Sequence, residues 1–157
     1  MKTYAFCAAL AAVSAPSFAN TFIATDIPFQ DEKHVPANIV SECSALGNNL
    51  SLAVEKFAHK QGVSIERTSE QLDSKGTYLD IHIVNAFSAG NAFIGHAKSV
   101  AIDVVYYKDG KQVDSTSMSR NSGGGFMGGF KGSCAVLYRT VNTLGSDVAK
   151  WAKSKNI

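Results

Sequence analysis

The chain has 157 residues, 45% hydrophobic and 18% charged, with 15 lysines and arginines against 13 aspartates and glutamates and a net charge of +2. That length fits one domain able to bury a core of its own. The charges are scattered rather than gathered into the basic stripe that a nucleic-acid surface requires, so no nucleic-acid partner is expected.

The first residues read as an export signal. Lys2 supplies a positive start, Tyr4 to Val13 form an apolar stretch, and Pro16 precedes the small-residue site Ser17-Phe18-Ala19. The apolar stretch is much shorter than the roughly 20 residues that span a bilayer, and no later stretch approaches that length. We expect a cleavable signal peptide over 1–19, cut after Ala19, and a periplasmic or secreted mature chain without a transmembrane segment; peripheral membrane contact stays open. Cys7 lies inside the apolar stretch, with Phe6 where a lipobox has Gly or Ala and Tyr4 where it has Leu, so lipidation is not expected. Cleavage leaves Cys43 and Cys134, and an even pair in an exported chain is expected to bond. Closing a loop of about 90 residues, that bridge would disfavour the unfolded state by roughly 4 to 5 kcal/mol in the chain-entropy picture.

In chain order, 20–36 reads as an irregular N-terminal segment. Within it Phe22, Ile23, Ile27 and Phe29 have the makings of a short edge strand, which Pro28 and the polar run from Gln30 to His34 interrupt. The rest, 37–157, reads as a single domain. From Ala37, Ile39, Cys43, Leu46, Leu50, Val54 and Phe57 recur at steps of three or four, the spacing of an amphipathic helix, which Gly62 would end. Gly47, Asn48 and Asn49 weaken its middle and point to a bend or a close packing contact.

Val63 to Arg67 reads as a first strand. Leu79, Ile81, Ile83 and Phe87 then alternate with Asp80 and His82, and Val100, Ile102, Val104 and Tyr106 alternate with Asp103, the period of half-buried strands. Asp109-Gly110 supplies a hairpin turn, and a polar strand follows from Gln112 to Arg120. Six glycines between Ser122 and Ser133 make that stretch a loop, after which Cys134, Leu137, Val141, Leu144, Val148 and Trp151 mark a second amphipathic helix. The expected fold is α+β: a two-layer sandwich of an antiparallel sheet of about four strands, with two amphipathic helices on one face linked by Cys43–Cys134.

Two groups of residues are candidates for function. Strand parity brings the loop from Ser88 to His96 and the glycine-rich loop to one end of the sheet. There Phe93, Ile94, Phe126, Met127 and Phe130 either fold onto the core or form an exposed apolar patch for a partner. Asp80, His82 and Asp103 belong together on the outer sheet face, as a solvated polar face or a pH-sensitive cluster. Gly123-Gly124-Gly125-Phe126-Met127-Gly128 matches a dinucleotide fingerprint by pattern but follows an antiparallel strand, so no nucleotide is expected. The four histidines lack ligand spacing, and no nucleophile with a placed base is recognisable; neither cofactor, metal nor catalytic residue is expected.

Gly90-x-x-x-x-Gly95 before an alternating strand, then Asp109-Gly110, then a serine-rich strand into Ser122-Gly123-Gly124-Gly125 and a closing helix, resembles a group of small proteobacterial envelope lipoproteins of unknown function. More distantly, the layout is similar to the periplasmic domains of the lipoprotein activating a penicillin-binding protein and of the curli secretion lipoprotein. Cys43 and Cys134 are not part of that pattern, and this chain lacks the lipobox, so membrane anchoring does not carry over. The resemblance implies a non-catalytic accessory or assembly role with an envelope protein as partner. The alternative is a small exported hydrolase or enzyme inhibitor.

Overall fold

A computed structural model describes residues 20–91, 95–122 and 133–157. Residues 1–19, expected to be a signal peptide, and Phe93, Ile94, Phe126, Met127 and Phe130 lie outside them. Five strands, β1 (Thr21–Ala24), β2 (Ile65–Thr68), β3 (Thr77–Asn91), β4 (Gly95–Lys108) and β5 (Lys111–Ser122), form one sheet in the order β2-β1-β3-β4-β5. Three α-helices, α1 (Ala37–Glu42), α2 (Leu46–Gln61) and α3 (Ser133–Ser154), accompany it among the described residues, with one-turn 3-10 helices at Glu32–His34 and Leu72–Ser74. Among the described residues, no helix is long and apolar enough to cross a membrane.

The sheet is mixed, which corrects the expectation of four antiparallel strands. The missing strand is β1, parallel to β2 (Thr21↔Ile65 through Ala24↔Thr68) and to β3 (Phe22↔Tyr78). It is interior, neither irregular nor at an edge. Beyond it the backbone rejoins β3, where the Ile83 N–H donates to Pro28 O and the Gln30 N–H donates to Ile83 O, both at 2.9 Å. Pro28, which has no N–H to give, therefore takes part in the ladder as an acceptor.

The end of β1 is held by side chains. Ser51 Oγ of α2 donates to Ala24 O at 2.6 Å, while Arg67 Nη2 at 2.8 Å and Asn48 Nδ2 at 3.3 Å donate to Thr25 O. Gly47 has a reason to be glycine: a Cβ there would run into the Ile27 carbonyl. The weak middle of the expected helix is thus a close-packing contact. The helix also breaks earlier, at Cys43, whose N–H caps α1 on Ile39 O and whose carbonyl receives the Leu46 N–H. That redirection lets Ile39 and Cys43 reach the core and still brings Gly47 against the backbone after β1.

The core is one layer deep. Leu79, Ile81 and Ile83 of β3 and Val100, Ile102 and Val104 of β4 pack against Leu46, Leu50 and Val54 of α2 and Leu137, Val141, Leu144 and Val148 of α3. A bulge between Ile83 and Asn85 resets the alternation, so Ala86 is buried and Phe87, expected on the inner face, is 44% exposed. Asp109 and Gly110 take φ of 51° and 74°, as a tight hairpin between β4 and β5 requires.

Helices α2 and α3 run side by side in the same direction. At their starts the Cys43–Cys134 disulfide, with Cα atoms 5.3 Å apart, joins the cap between α1 and α2 to the first turn of α3. At mid-length Gly145 lies against Ala53, where a built Cβ would come within 2.5 Å of the Ala53 Cβ. Arg120 of β5 forks onto Asp147 of α3 at 2.7 and 2.9 Å, and Asp114 pairs with Lys155 at 2.7 Å, tying the edge strand to α3.

Two consequences are measurable by thermal melting. Gly145→Val should force the two helices apart and destabilise the domain by about 1 to 3 kcal/mol, with far-UV circular dichroism unchanged. The Cys43→Ser/Cys134→Ser double variant should lose about 2 to 5 kcal/mol, and addition of reductant should bring the parent protein to the same melting temperature.

Candidate functional site

Because the helices occupy one side, alternate residues of β3 and β4 project from the other. Register sets Asp80, His82 and Asp103 there together: His82 is opposite Asp103, and Asp103 is opposite Ser117 of β5. His82 Nδ1 lies 3.5 Å from Asp80 Oδ1, with both side chains a little over one third exposed. The Ser117 hydroxyl donates to Asp103 Oδ1 at 2.6 Å.

The same face continues into aromatic rings. Tyr78 stacks on Tyr107 with centroids 4.8 Å apart and planes 13° from parallel, Tyr78 pairs with Phe22 across β1, and Lys75 Nζ lies 5.1 Å from the Phe22 ring centroid. Burial pushes the Tyr78 phenol above its ordinary value, with Tyr107, Asp80 and Asp73 adding to the effect, so it stays protonated near neutrality.

A serine nucleophile needs a base within hydrogen-bond reach. Ser117 gives its proton to Asp103, and His82 is oriented by Asp80. What the row offers instead is a mixed acceptor and donor ladder beside stacked aromatic rings. Among the described residues no three His, Cys, Asp or Glu side chains gather as metal ligands.

The other candidates attach at one end of the sheet. The β3–β4 ladder runs on to Asn91↔Gly95, while β5 ends at Ser122 opposite Lys98, so β3 and β5 end and β4 begins at one end of the sheet. Phe93 and Ile94, in 92–94, and Phe126, Met127 and Phe130, in 123–132, lie outside the described residues.

Lys98 escaped the sequence reading, although it shares the alternation of Val100, Ile102 and Val104. It sits on the inner face, only 2% exposed, between Ser88 and Ser122 by register. All 13 acidic residues of the chain are among the described ones, and none pairs with it. An ammonium held from water without a counter-charge opposes folding. Lys98→Met should therefore raise the melting temperature, by the equivalent of about 1 kcal/mol or more; a lower one would mean that the ammonium is held favourably.

No protein-family model matches the sequence, and no curated protein is similar to it. Solved structures do share the fold. A DUF330-family protein from Xanthomonas campestris matches with a TM-score of 0.53 at 10% identity, over 92% of this chain and 91% of that one. The PelC dodecamer from Paraburkholderia phytofirmans matches with a TM-score of 0.51 at 10% identity, over 86% and 89%. Lipoprotein GNA1162 from Neisseria meningitidis gives 0.47 at 10% identity, over 83% and 99%. Of an uncharacterized protein matched at 0.49 and 14% identity, the chain spans 64% of the length. At these identities the likeness establishes the fold, that of the Xanthomonas and Paraburkholderia proteins. It lends no support to the narrower likeness to the penicillin-binding-protein activator or the curli lipoprotein.

Proposed function

We propose that the mature protein is a non-catalytic accessory protein of the bacterial envelope that works by binding an envelope protein through the uncovered face of its sheet. The observation that carries this is the face itself: apart from the one-turn helix Leu72–Ser74, which borders its β1 and β3 end, no described helix packs on it, and Phe22, Val105 and Tyr107 stand partly exposed beside the Asp80, His82, Asp103 and Ser117 row. Partly buried aromatics ringed by polar groups are what protein interfaces use.

The compartment rests on the leader-like start and on the Cys43–Cys134 disulfide, a bond that persists in oxidising surroundings. Phe93, Ile94, Phe126, Met127 and Phe130 join the proposed surface on sequence grounds alone. The Paraburkholderia protein is a dodecamer, which makes a second copy one of the partners to test.

Asp103→Lys and Tyr107→Ser should each cut capture of the envelope partner by the purified mature protein at least tenfold, while the melting temperature falls by no more than the loss of one aromatic stack, about 0.5 to 1.5 kcal/mol. Sedimentation of the parent protein checks whether that partner is another copy. The hydrolase reading has one observation in its favour, the closeness of Asp80, His82, Asp103 and Ser117. If Asp80→Asn, His82→Ala or Asp103→Asn abolished hydrolysis of peptidoglycan, peptide or ester by the purified protein, the accessory role would be overturned.

A further inference from the structure

The far end of the molecule, away from Lys98, holds a cleft that the outer face does not share. Strands β1 and β3 begin there, β4 ends there, and α2 and α3 both finish above them. Between them lies a space of about 740 Å³, within the size range of small-molecule sites. Its lining includes Thr21, Ser64, Thr77, Tyr106, Lys108 and Lys153.

Two buried residues in that lining carry hydroxyls with no hydrogen-bond partner among the described residues. Thr21 is 1% exposed and Tyr106 9%, and among the described residues neither Thr21 Oγ1 nor Tyr106 Oη makes a hydrogen bond, although the Thr21 backbone N–H is satisfied by Ser64 O. Leaving such groups unmet is costly, and a buried tyrosine hydroxyl ordinarily finds a partner. Both open onto the same cleft.

The charged side chains lining the cleft are of one sign as well, and Ile157, the last residue of the sequence, lines it too. Of the lysines at this end, Lys155 is paired with Asp114, whereas Lys108 and Lys153 enter no ion pair, Lys153 having only a long 3.5 Å contact with Gln61 Oε1. No aspartate or glutamate lines the cleft. Helix dipoles do not account for both cations. Lys153, in the last turn of α3, does complement that helix end. Lys108 comes from the sheet, and the α2 end is already closed by the Gly62 and Val63 N–H groups on Ala58 and His59 carbonyls.

We propose that this cleft binds a small polar molecule carrying an oxyanion, a carboxylate or a phosphate. Lys108 and Lys153 balance its charge, and the Thr21 and Tyr106 hydroxyls hydrogen-bond to it. The site is independent of the partner surface on the outer face.

Titration of the ¹⁵N-labelled mature protein with inorganic phosphate, sodium glucuronate and glucose tests this by amide chemical shifts. Saturable shifts centred on Gly62, Val63, Ser64 and Lys108 are expected with at least one of the two anions and not with glucose, and whichever anion saturates names the ligand's acid. Lys108→Gln should weaken that binding at least tenfold, and Thr21→Val and Tyr106→Phe, both close in shape to the parent side chains, should weaken it without altering the spectrum elsewhere. Asp103→Lys should leave it unchanged, so loss of partner capture and loss of anion binding are separable. Equal response to glucose, no saturable shift up to about 10 mM of either anion, or undiminished binding by Lys108→Gln would overturn the proposal.

Discussion

Everything in this fold depends on how β1 is held. A four-residue strand inside a sheet must find backbone partners on both flanks, and β1 shares only one paired position with β3, Phe22 with Tyr78. The remainder is supplied by side chains and by the following turn. Ser51 and Asn48 from α2 and Arg67 from β2 converge on the carbonyls of Ala24 and Thr25, and Arg67 Nε also donates to Ser51 Oγ at 2.9 Å. These hydrogen bonds fix α2 over the first half of the sheet, and the absence of a side chain at Gly47 lets the helix sit that low. Because one helix is bound so closely on one side, the other packs beside it, and the opposite face is left to solvent or to a partner.

The helix layer is asymmetric along its length. At one end Cys43–Cys134 holds the starts of α2 and α3 together, and at mid-length Gly145 allows backbone contact with Ala53. Toward the far end no comparable staple exists among the described residues: Lys153 and Gln61 meet only at 3.5 Å. The sheet beneath that end of the helix pair finishes in Thr21, Thr77 and Lys108. The cleft is the space left where helix ends and strand ends no longer fill each other.

The parts legible in the sequence are those set by local period. The alternation in β3 and β4, the Asp109-Gly110 turn and the apolar stripe of α3 depend on neighbours within a few residues, and the structure has them. The Cys43–Cys134 bond followed from counting. Strand β1 was not legible because its evidence is remote: Thr21 pairs with Ile65, and its carbonyls are met by residues in α2 and β2. The bulge after Ile83 also hides from pattern, since one extra residue exchanges the roles of Ala86 and Phe87 without any glycine to announce it. Asp80, His82 and Asp103 could be set on one face by parity alone. The cleft could not, because its lining comes from β1, the α2 terminus, β3, β4 and the end of α3.

The two surfaces are nevertheless physically adjacent, and strand geometry makes them so. Successive side chains of a strand point to opposite faces. Thr21 and Phe22, Thr77 and Tyr78, and Tyr106 and Tyr107 are three such neighbours, and in each pair the first lines the cleft while the second belongs to the aromatic end of the open face. A ligand that draws on the Thr21 and Tyr106 hydroxyls bears on the same backbone that sets the Tyr78–Tyr107 stack, one sheet thickness away. The cleft and the open face therefore share backbone at three residue pairs but no side chain, which leaves the two surfaces separable.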